Sequence, residues 1–175
     1  SDDTPSRSEL GLPDNCFVFC AINNVYKITS SEFDIWMRLL QSVDGSVLWL
    51  LESNKWVKGN LLKEANARGV PSERLVFAQQ VPHEQYLAQF RQADLYLDTF
   101  TYNAGATASN ALWAGLPVLT KLGKGYTARM AGSLLASIGL SELITDTNPE
   151  YEELAFKLAT NPKRLASIKQ KLAAN

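Results

Sequence analysis

The run DLYLDTFTYNAGATASNALWAGLPVLT, residues 94–120, constrains the fold more than any other stretch of the chain. It predicts a buried strand over residues 95–97, a turn of small residues, a helix over residues 106–114 and a new strand from Val118. Gly115 suits the end of that helix because glycine adopts positive φ freely. A tight turn before a helix exposes backbone N–H groups at a positive dipole end, where phosphate binds well. Taken alone, the run is also typical of an ordinary strand–helix connection.

The same order of strand and helix recurs along the whole chain. Short apolar runs predict further strands, and segments with helical spacing of apolar residues lie between them. These strands are expected at residues 17–22, 46–51, 75–78, 118–122 and 143–145. About six such repeats with short connections predict an α/β protein with a doubly wound parallel sheet and right-handed crossovers. We expect one domain over residues 1–175.

Local sequence signals mark the starts of several helices. Thr29 followed by Glu32 predicts a capping box, in which each side chain accepts from a backbone N–H of the other's residue. Asn148 and Asn161 each precede a proline, and each is therefore predicted to be the N-cap of one of the last two helices.

Composition excludes several classes of protein. The 175 residues carry 17 Lys plus Arg against 18 Asp plus Glu, a net charge of -1, which gives no indication of a nucleic-acid or membrane-surface partner. No apolar run approaches the ~20 residues of a membrane span. Cys16 and Cys20 would lie too far apart on one strand for a disulfide, so both are interpreted as small apolar residues of a cytoplasmic protein.

Two polar loops at the carboxyl edge of the predicted sheet are the candidate ligand site, because ligands bind there in such folds. One loop carries Asn24 and Lys27, and the other spans residues 103–110. One cation, a helix dipole and several amides suit a diphosphate. No G-x-G-x-x-G or Walker motif is present, and Asp94 and Asp98 do not form a compact metal pair. We therefore expect a site without a metal ion, in which Asp98 hydrogen-bonds the turn that follows it.

Five runs carry a closer resemblance. They are NNVYKIT (residues 23–29), SVLWLLE (46–52), RLVFA (74–78), ADLYLDT (93–99) and ALWAGLPVLT (111–120). In order and with few gaps, they resemble the O-GlcNAc transferases, family 41 of the glycosyltransferases, from about residue 6 to residue 158. The resemblance implies a GT-B fold of two Rossmann-like halves, of which residues 1–175 correspond to the C-terminal catalytic half. The N-terminal half and the tetratricopeptide repeats of the family are not in this chain.

The resemblance also implies a site for a nucleotide sugar. The lysine that binds the donor diphosphate corresponds to Lys27, the residue to which a catalytic role is assigned. Asn24 corresponds to the amide residue before it. The family's base-contacting loop and the helix start that receives the phosphates supply the remaining positions. These are Val81, Pro82, His83 and Tyr86 for the base, Gly105, Ala106 and Thr107 for the phosphates, and Asn110 for the ribose.

This chain departs from the family at several of these positions. Many relatives have histidine at Tyr86, His-Thr-Thr at residues 105–107, aspartate at Asn110 and glutamate at Lys124. Backbone N–H donation to phosphate does not need those side chains. Loss of the carboxylate at residue 110 removes a charge-assisted acceptor for ribose hydroxyls, although an amide oxygen still accepts.

The implied reaction is inverting transfer of a sugar from a nucleotide donor to a protein Ser or Thr hydroxyl. UDP-GlcNAc is the family default, GDP-fucose serves some relatives, and no further cofactor is implied. The partners are the nucleotide sugar, the N-terminal half and acceptor proteins. His83, the only histidine, aligns with the base-binding loop, so we expect the catalytic base in the missing half and no transfer by this chain alone. Two alternatives stay open: a degenerate binding or scaffold domain, and a GT-B enzyme with another class of acceptor.

Overall fold

Six short strands form the centre of the protein, whose computed structural model describes residues 4–23, 28–100, 106–122 and 129–175. The strands are β1 (Val18–Ala21), β2 (Val47–Leu51), β3 (Leu75–Ala78), β4 (Leu95–Leu97), β5 (Val118–Lys121) and β6 (Ile144–Thr145). The helices in the described residues are α1 (Ser30–Ser42), α2 (Lys55–Ala67), α3 (His83–Phe90), α4 (Ala106–Trp113), α5 (Met130–Ser137), α6 (Asn148–Thr160) and α7 (Pro162–Ala173). None of these helices is long and apolar enough to cross a membrane.

All six strands run parallel, in the order β3-β2-β1-β4-β5-β6. Cys20 pairs with Trp49 of β2 on one side and with Tyr96 of β4 on the other. The chain therefore builds the sheet outward from β1 in one direction and then returns to build outward from β4 in the other. The predicted doubly wound parallel sheet is confirmed.

Both faces of the sheet are buried, because successive apolar residues of the strands belong alternately to two apolar clusters. Phe19, Leu48 and Leu95 face a cluster that includes residues of α1, α6 and α7. Val18 and Tyr96 face a second cluster that includes residues of α3 and α4. The continuous apolar runs that predicted the strands are thus explained by helices on both sides of the sheet. Consequently α1 and α4, which follow the neighbouring strands β1 and β4, lie on opposite faces.

Glycine ends three of the helices in the same way. After α4, Gly115 has φ 86° and donates to the carbonyl of Leu112, while Leu116 donates to the carbonyl of Ala111. This is a Schellman motif, and the buried Leu116 supplies its usual apolar contact. The helix end predicted at Gly115 is confirmed, and Gly69 and Gly139 end α2 and α5 with the same pair of bonds.

The two asparagine–proline signals have different outcomes. Asn161 is the N-cap of α7, and its side chain accepts from the backbone N–H of Arg164. The prediction for Asn148 is wrong, because Thr147 is the N-cap of α6 and accepts from the N–H of Glu150. Asn148 instead accepts a hydrogen bond from Lys121 Nζ at 2.7 Å. Thr147, one residue earlier, takes the N-cap position, and the asparagine side chain is bound to Lys121 of β5 instead.

Asp94 fastens the amino edge of the sheet. Its Oδ2 accepts from the backbone N–H of Val18 at 2.8 Å and from Arg7 Nη2 at 3.1 Å. Arg7 also donates to the carbonyls of Pro13, Asp14, Cys16 and Gln92. This cluster joins the N-terminal segment to the starts of β1 and β4, so it has a structural role at the edge opposite the predicted ligand site.

Neither cysteine forms a disulfide. Cys20 is fully buried in β1, and burial raises the pKa of its thiol to about 12. Cys16 is partly exposed, and burial raises the pKa of its thiol too. The interpretation of Cys20 as a small apolar residue is confirmed.

Two glycine-to-alanine substitutions test the account of the helix ends. Gly115→Ala forces an L-residue into positive φ and should lower the free energy of unfolding by about 1 kcal/mol. Gly59→Ala, in the exposed interior of α2 where an added Cβ meets no atom within 4 Å, should raise it by about 0.5–1 kcal/mol. Urea denaturation of both variants measures the difference, and equal effects would contradict the assigned backbone at Gly115.

Candidate functional site

The carboxyl edge between β1 and β4 is the place where the strand order reverses. Helix α1 follows β1 on one face of the sheet, and helix α4 follows β4 on the other. At such a switch point, folds of this kind bind ligands in a crevice outside the carboxyl ends of the strands. The Tyr96 hydroxyl donates to the carbonyl of Ile22 at 3.0 Å and so ties the two strand ends together. The two loops predicted to bind the ligand follow β1 and β4 in the sequence, at this switch point.

Buried polar side chains gather at this edge. The structure buries eight polar or charged side chains among the residues whose exposure it describes, and six of them lie at or beside the carboxyl ends of β1, β4, β5 and β6. These six are Asn23, Glu32, Asp98, Thr99, Thr120 and Thr145. Burial of polar groups is costly unless they are hydrogen-bonded. These side chains therefore need hydrogen-bond partners, which constrain the conformation of this edge.

Asp98, fully buried at the end of β4, organises the connection to α4. Its Oδ1 accepts from the backbone N–H of Thr99 at 3.0 Å, which confirms the predicted bond to the following turn. Its Oδ2 accepts from the Thr120 hydroxyl of β5 at 2.8 Å. The Tyr151 hydroxyl of α6 donates to the Asp98 carbonyl at 2.9 Å and accepts from Trp36 Nε1 at 3.2 Å. Side chains of β5 and α6 therefore hold the start of this connection.

Glu32 does not form the predicted capping box with Thr29. The Thr29 side chain accepts no helix N–H, and its hydroxyl instead donates to Glu32 Oε2. Oε1 of Glu32 accepts from the backbone N–H of Phe100 at 3.1 Å. The prediction is wrong because the carboxylate, fully buried in the first turn of α1, binds an N–H of the β4–α4 connection rather than the helix end.

Phe100 is held from several directions. Beside the bond from its backbone to Glu32, its ring meets the edge of Tyr151 with 4.8 Å between centroids. The Lys121 ammonium lies 4.4 Å above the same ring and donates to Asn148 Oδ1. A cation over an aromatic face adds roughly 0.5–2 kcal/mol. Phe100 is thus a fixed point immediately before residues 101–105.

The segment assigned to the nucleotide base lies between β3 and α3. The backbone N–H of Val81 donates to the Tyr86 hydroxyl at 3.2 Å, and both residues are half-buried. Tyr86 also stacks on Phe90, with 6.2 Å between ring centroids. Pro82 is exposed and precedes the helix, and His83 is the first residue of α3. The structure therefore places this segment at the same edge of the sheet as Asp98.

Helix α4 has its N-terminus at the carboxyl edge of the sheet. It begins at Ala106, and the half-buried Thr107 and Asn110 occupy its first turns. Ala108 and Ala111 are fully buried against the sheet, so small side chains allow the helix to pack closely. The first N–H groups of any helix lack intrahelical acceptors and carry the positive end of the dipole. Helices α3 and α4 are in contact on one face of the sheet.

Several predicted site residues lie outside the described part of the chain. These are Asn24, Lys27 and Gly105, together with Lys124. The ends of their segments are described: Asn23 and Ile28 flank the first, and Phe100 and Ala106 flank the second. Of the predicted residues, the structure brings Val81, Tyr86, Thr107 and Asn110 to one edge, on adjacent helices and their connections.

The two buried tyrosines of the site are neutral. Burial raises the pKa of the Tyr96 phenol well above its ordinary value, and Cys20 and Asp98 add smaller effects in the same direction. Burial likewise raises the pKa of Tyr151, partly offset by the hydrogen bond from Trp36. Both hydroxyls therefore act as hydrogen-bond donors, Tyr96 to the carbonyl of Ile22 and Tyr151 to that of Asp98.

Comparisons with known proteins agree with the predicted family resemblance. The profile of the family described as Glycosyl transferase family 41 matches residues 4–175. A UDP-N-acetylglucosamine–peptide N-acetylglucosaminyltransferase of Caenorhabditis elegans is 34% identical over 167 residues, which are 95% of this chain and 14% of that protein. The chain therefore spans only a small part of this relative.

Solved structures extend the comparison. A mutant O-GlcNAc transferase of Thermobaculum terrenum superposes with a TM-score of 0.88 at 30% identity, over 92% of this chain and 32% of that one. A UDP-forming α,α-trehalose-phosphate synthase from Burkholderia xenovorans superposes with a TM-score of 0.62 at 12% identity, over 90% and 39% of the two chains. The second match shows a shared fold alone.

Removal of the Thr120 hydroxyl tests whether Asp98 depends on its neighbour in β5. Thr120→Val deletes one donor to a buried carboxylate and should lower the free energy of unfolding by about 1.5–3 kcal/mol. Thr145→Val is the matched control, because that hydroxyl donates to the neutral carbonyl of Thr120 and should cost about 0.5–1.5 kcal/mol. Denaturant titrations measure both, and a smaller loss at Thr120 than at Thr145 would refute the assigned role.

Proposed function

Since this chain belongs to glycosyl transferase family 41, we propose that it is the donor-binding, C-terminal half of a GT-B protein glycosyltransferase. In this proposal residues 1–175 form one domain that binds a nucleotide sugar, UDP-GlcNAc by the family's default. The enzyme transfers GlcNAc to a Ser or Thr hydroxyl of a protein acceptor, with inversion and without a metal ion. The relatives' names support the reaction, and the small share of their length that this chain spans leaves the rest of the enzyme to other segments.

The observation that carries the proposal is the switch point between β1 and β4. The end of β4 is held by bonds at Asp98 and Phe100, and the N-terminus of α4 lies at the same edge, which supports a preorganised site for an anion there. A helix dipole is equivalent to about half a unit charge at that end, so a diphosphate needs a further cation. Lys27 is the residue to which we assign this task.

The remaining donor contacts follow from neighbouring elements. The nucleotide base would lie near Val81, His83 and Tyr86, because α3 is adjacent to α4 on the same face. Since the Val81 N–H already donates to Tyr86, the base would contact other polar groups of this segment. Thr107 and Asn110, in the first turns of α4, would contact the phosphates and the ribose. Asn24, three residues before Lys27 in the same loop, would support it.

The chemistry proposed for this half is stabilisation of the leaving group. The bond between the anomeric carbon and the diphosphate oxygen breaks while the acceptor hydroxyl oxygen forms a new bond to that carbon. Lys27 and the first amides of α4 stabilise the negative charge that develops on the departing nucleoside diphosphate. The acceptor proton must pass to a base. We assign that base, and the groove for the acceptor protein, to the N-terminal half.

A second candidate function has a specific observation in its favour. Asn110 stands where many relatives have an aspartate, and Ala106 stands where many have a threonine. A domain with these changes could bind a nucleotide sugar without transferring it. Binding and transfer are therefore measured separately.

Calorimetric titration of the complete protein with UDP, and with GDP for comparison, tests the proposal. UDP should bind saturably. Lys27→Ala should weaken that binding by about 10- to 100-fold, the effect expected for loss of one charged contact of about 1.5–3 kcal/mol. Lys163→Ala, an exposed lysine at the start of α7, is the matched control and should leave the affinity unchanged.

Each other result has a definite meaning. Preference for GDP would change the donor to a GDP-sugar. Unchanged affinity in Lys27→Ala would refute the assigned diphosphate contact. Absence of binding of either nucleotide at millimolar concentration would refute the donor-binding function, and binding without transfer to any acceptor protein would favour the second candidate.

A further inference from the structure

The buried carboxylate of Glu32 joins two parts of the chain that are far apart in sequence. We propose that Glu32 is a positioning residue, which fixes the two phosphate-binding loops of the donor site relative to each other. The inference rests on the proposed function and adds to it a residue of α1 that contacts no substrate. The two loops are residues 24–27, which precede α1, and residues 101–105, which precede α4.

The contacts of Glu32 lie at the ends of these two loops. Thr29, whose hydroxyl donates to Oε2, follows the loop of residues 24–27 after a single residue. Phe100, whose backbone N–H donates to Oε1 at 3.1 Å, comes directly before the loop of residues 101–105. One carboxylate therefore links a residue that follows one loop in the sequence to the residue that precedes the other.

Helix capping does not account for this carboxylate. In a capping box the acidic side chain accepts from the N-cap backbone N–H, and the threonine accepts from the helix. Here the threonine accepts no helix N–H and both Glu32 oxygens are used elsewhere. A side chain with no exposed surface is costly to bury in its charged form, and its hydrogen bonds offset that cost only when both partners are in place. The arrangement thus enforces one relative position of Thr29 and Phe100, the residues that lie near the two loops in the sequence.

Phe100, the residue that Glu32 binds before α4, is itself held in place by packing. Phe100 is held by the edge of Tyr151, and Tyr151 is held by Trp36 of α1. Lys121 covers the same ring from β5. Displacement of Phe100 would therefore disturb contacts to α1, α6 and β5, so the bond to Glu32 ties the start of α1 to a fixed point. A diphosphate that must contact both loops at once gains from such preorganisation.

Three variants of the complete protein test the inference. Glu32→Ala removes both bonds and should weaken UDP binding at least tenfold at a temperature where the variant is folded. Glu32→Gln has nearly the same shape, and its amide oxygen and nitrogen can keep bonds to Phe100 and to the Thr29 hydroxyl, so it should bind UDP within about threefold of the wild type. Asp94→Ala is the matched control: it removes a carboxylate that accepts from a backbone N–H at the opposite edge.

The control separates positioning from general destabilisation. Asp94→Ala should lower the melting temperature and leave UDP affinity within about threefold, because the amino edge has no part in the donor site. If Glu32→Ala does not fold, Glu32→Asp replaces it. That variant keeps the charge on a side chain one methylene shorter, cannot reach both partners, and should weaken UDP binding in the same direction.

Hydrogen exchange without nucleotide provides a second readout, independent of donor binding. Glu32→Ala should accelerate exchange of the Phe100 amide and of the amides of residues 24–29 and 101–107. In Glu32→Gln and Asp94→Ala, these amides should exchange at the rates of the wild type. If the wild type binds neither UDP nor GDP, the proposed function fails and the exchange result still decides whether Glu32 links the loops. UDP affinity in Glu32→Ala and Glu32→Asp equal to that of the wild type, or equal exchange in all variants, would overturn the inference.

Discussion

The pairing of β1 with β4 is the interaction on which the rest of this structure depends. Residues 19 and 20 pair with residues 95 and 96, and this contact places two distant segments of the chain side by side in one sheet. Because the following helices pack on opposite faces, the pairing creates the switch point to which the donor site is assigned. Strands β2 and β3 on one side, and β5 and β6 on the other, extend the sheet and position the helices that line this edge.

Buried polar groups hold the described residues at this edge in place. Asp98 binds the turn after β4, Tyr151 binds the Asp98 carbonyl from α6, and Glu32 binds Phe100 from α1. Each such bond contributes only about 1 kcal/mol net, but an unsatisfied partner in the same place would cost more. The network therefore penalises other arrangements of the connections, which is the property that an anion site requires. The amino edge is fastened separately through Arg7 and Asp94.

Local signals predicted much of this fold, and contacts between distant residues account for what they missed. Continuous apolar runs predicted the strands, Gly115 predicted the end of α4, and the five motifs predicted the family; all are confirmed. The capping box at Glu32 and the cap at Asn148 were wrong because Phe100 and Lys121, far away in sequence, take those side chains as partners. The bond from Thr120 to Asp98 had no local signal for the same reason. The assignments of Lys27, Asn24 and Gly105 lie outside the described residues and stay predictions.

A crystal structure of the complete protein with bound UDP tests the central claim most directly, because it locates the diphosphate on the fold. The account predicts phosphate oxygens within hydrogen-bonding distance of the first backbone N–H groups of α4, beyond the ends of β1 and β4, with the Lys27 ammonium on the same diphosphate. The base would lie beside the segment from Val81 to Tyr86. A diphosphate bound at another edge or face of the sheet, or one with no contact to α4, would contradict it.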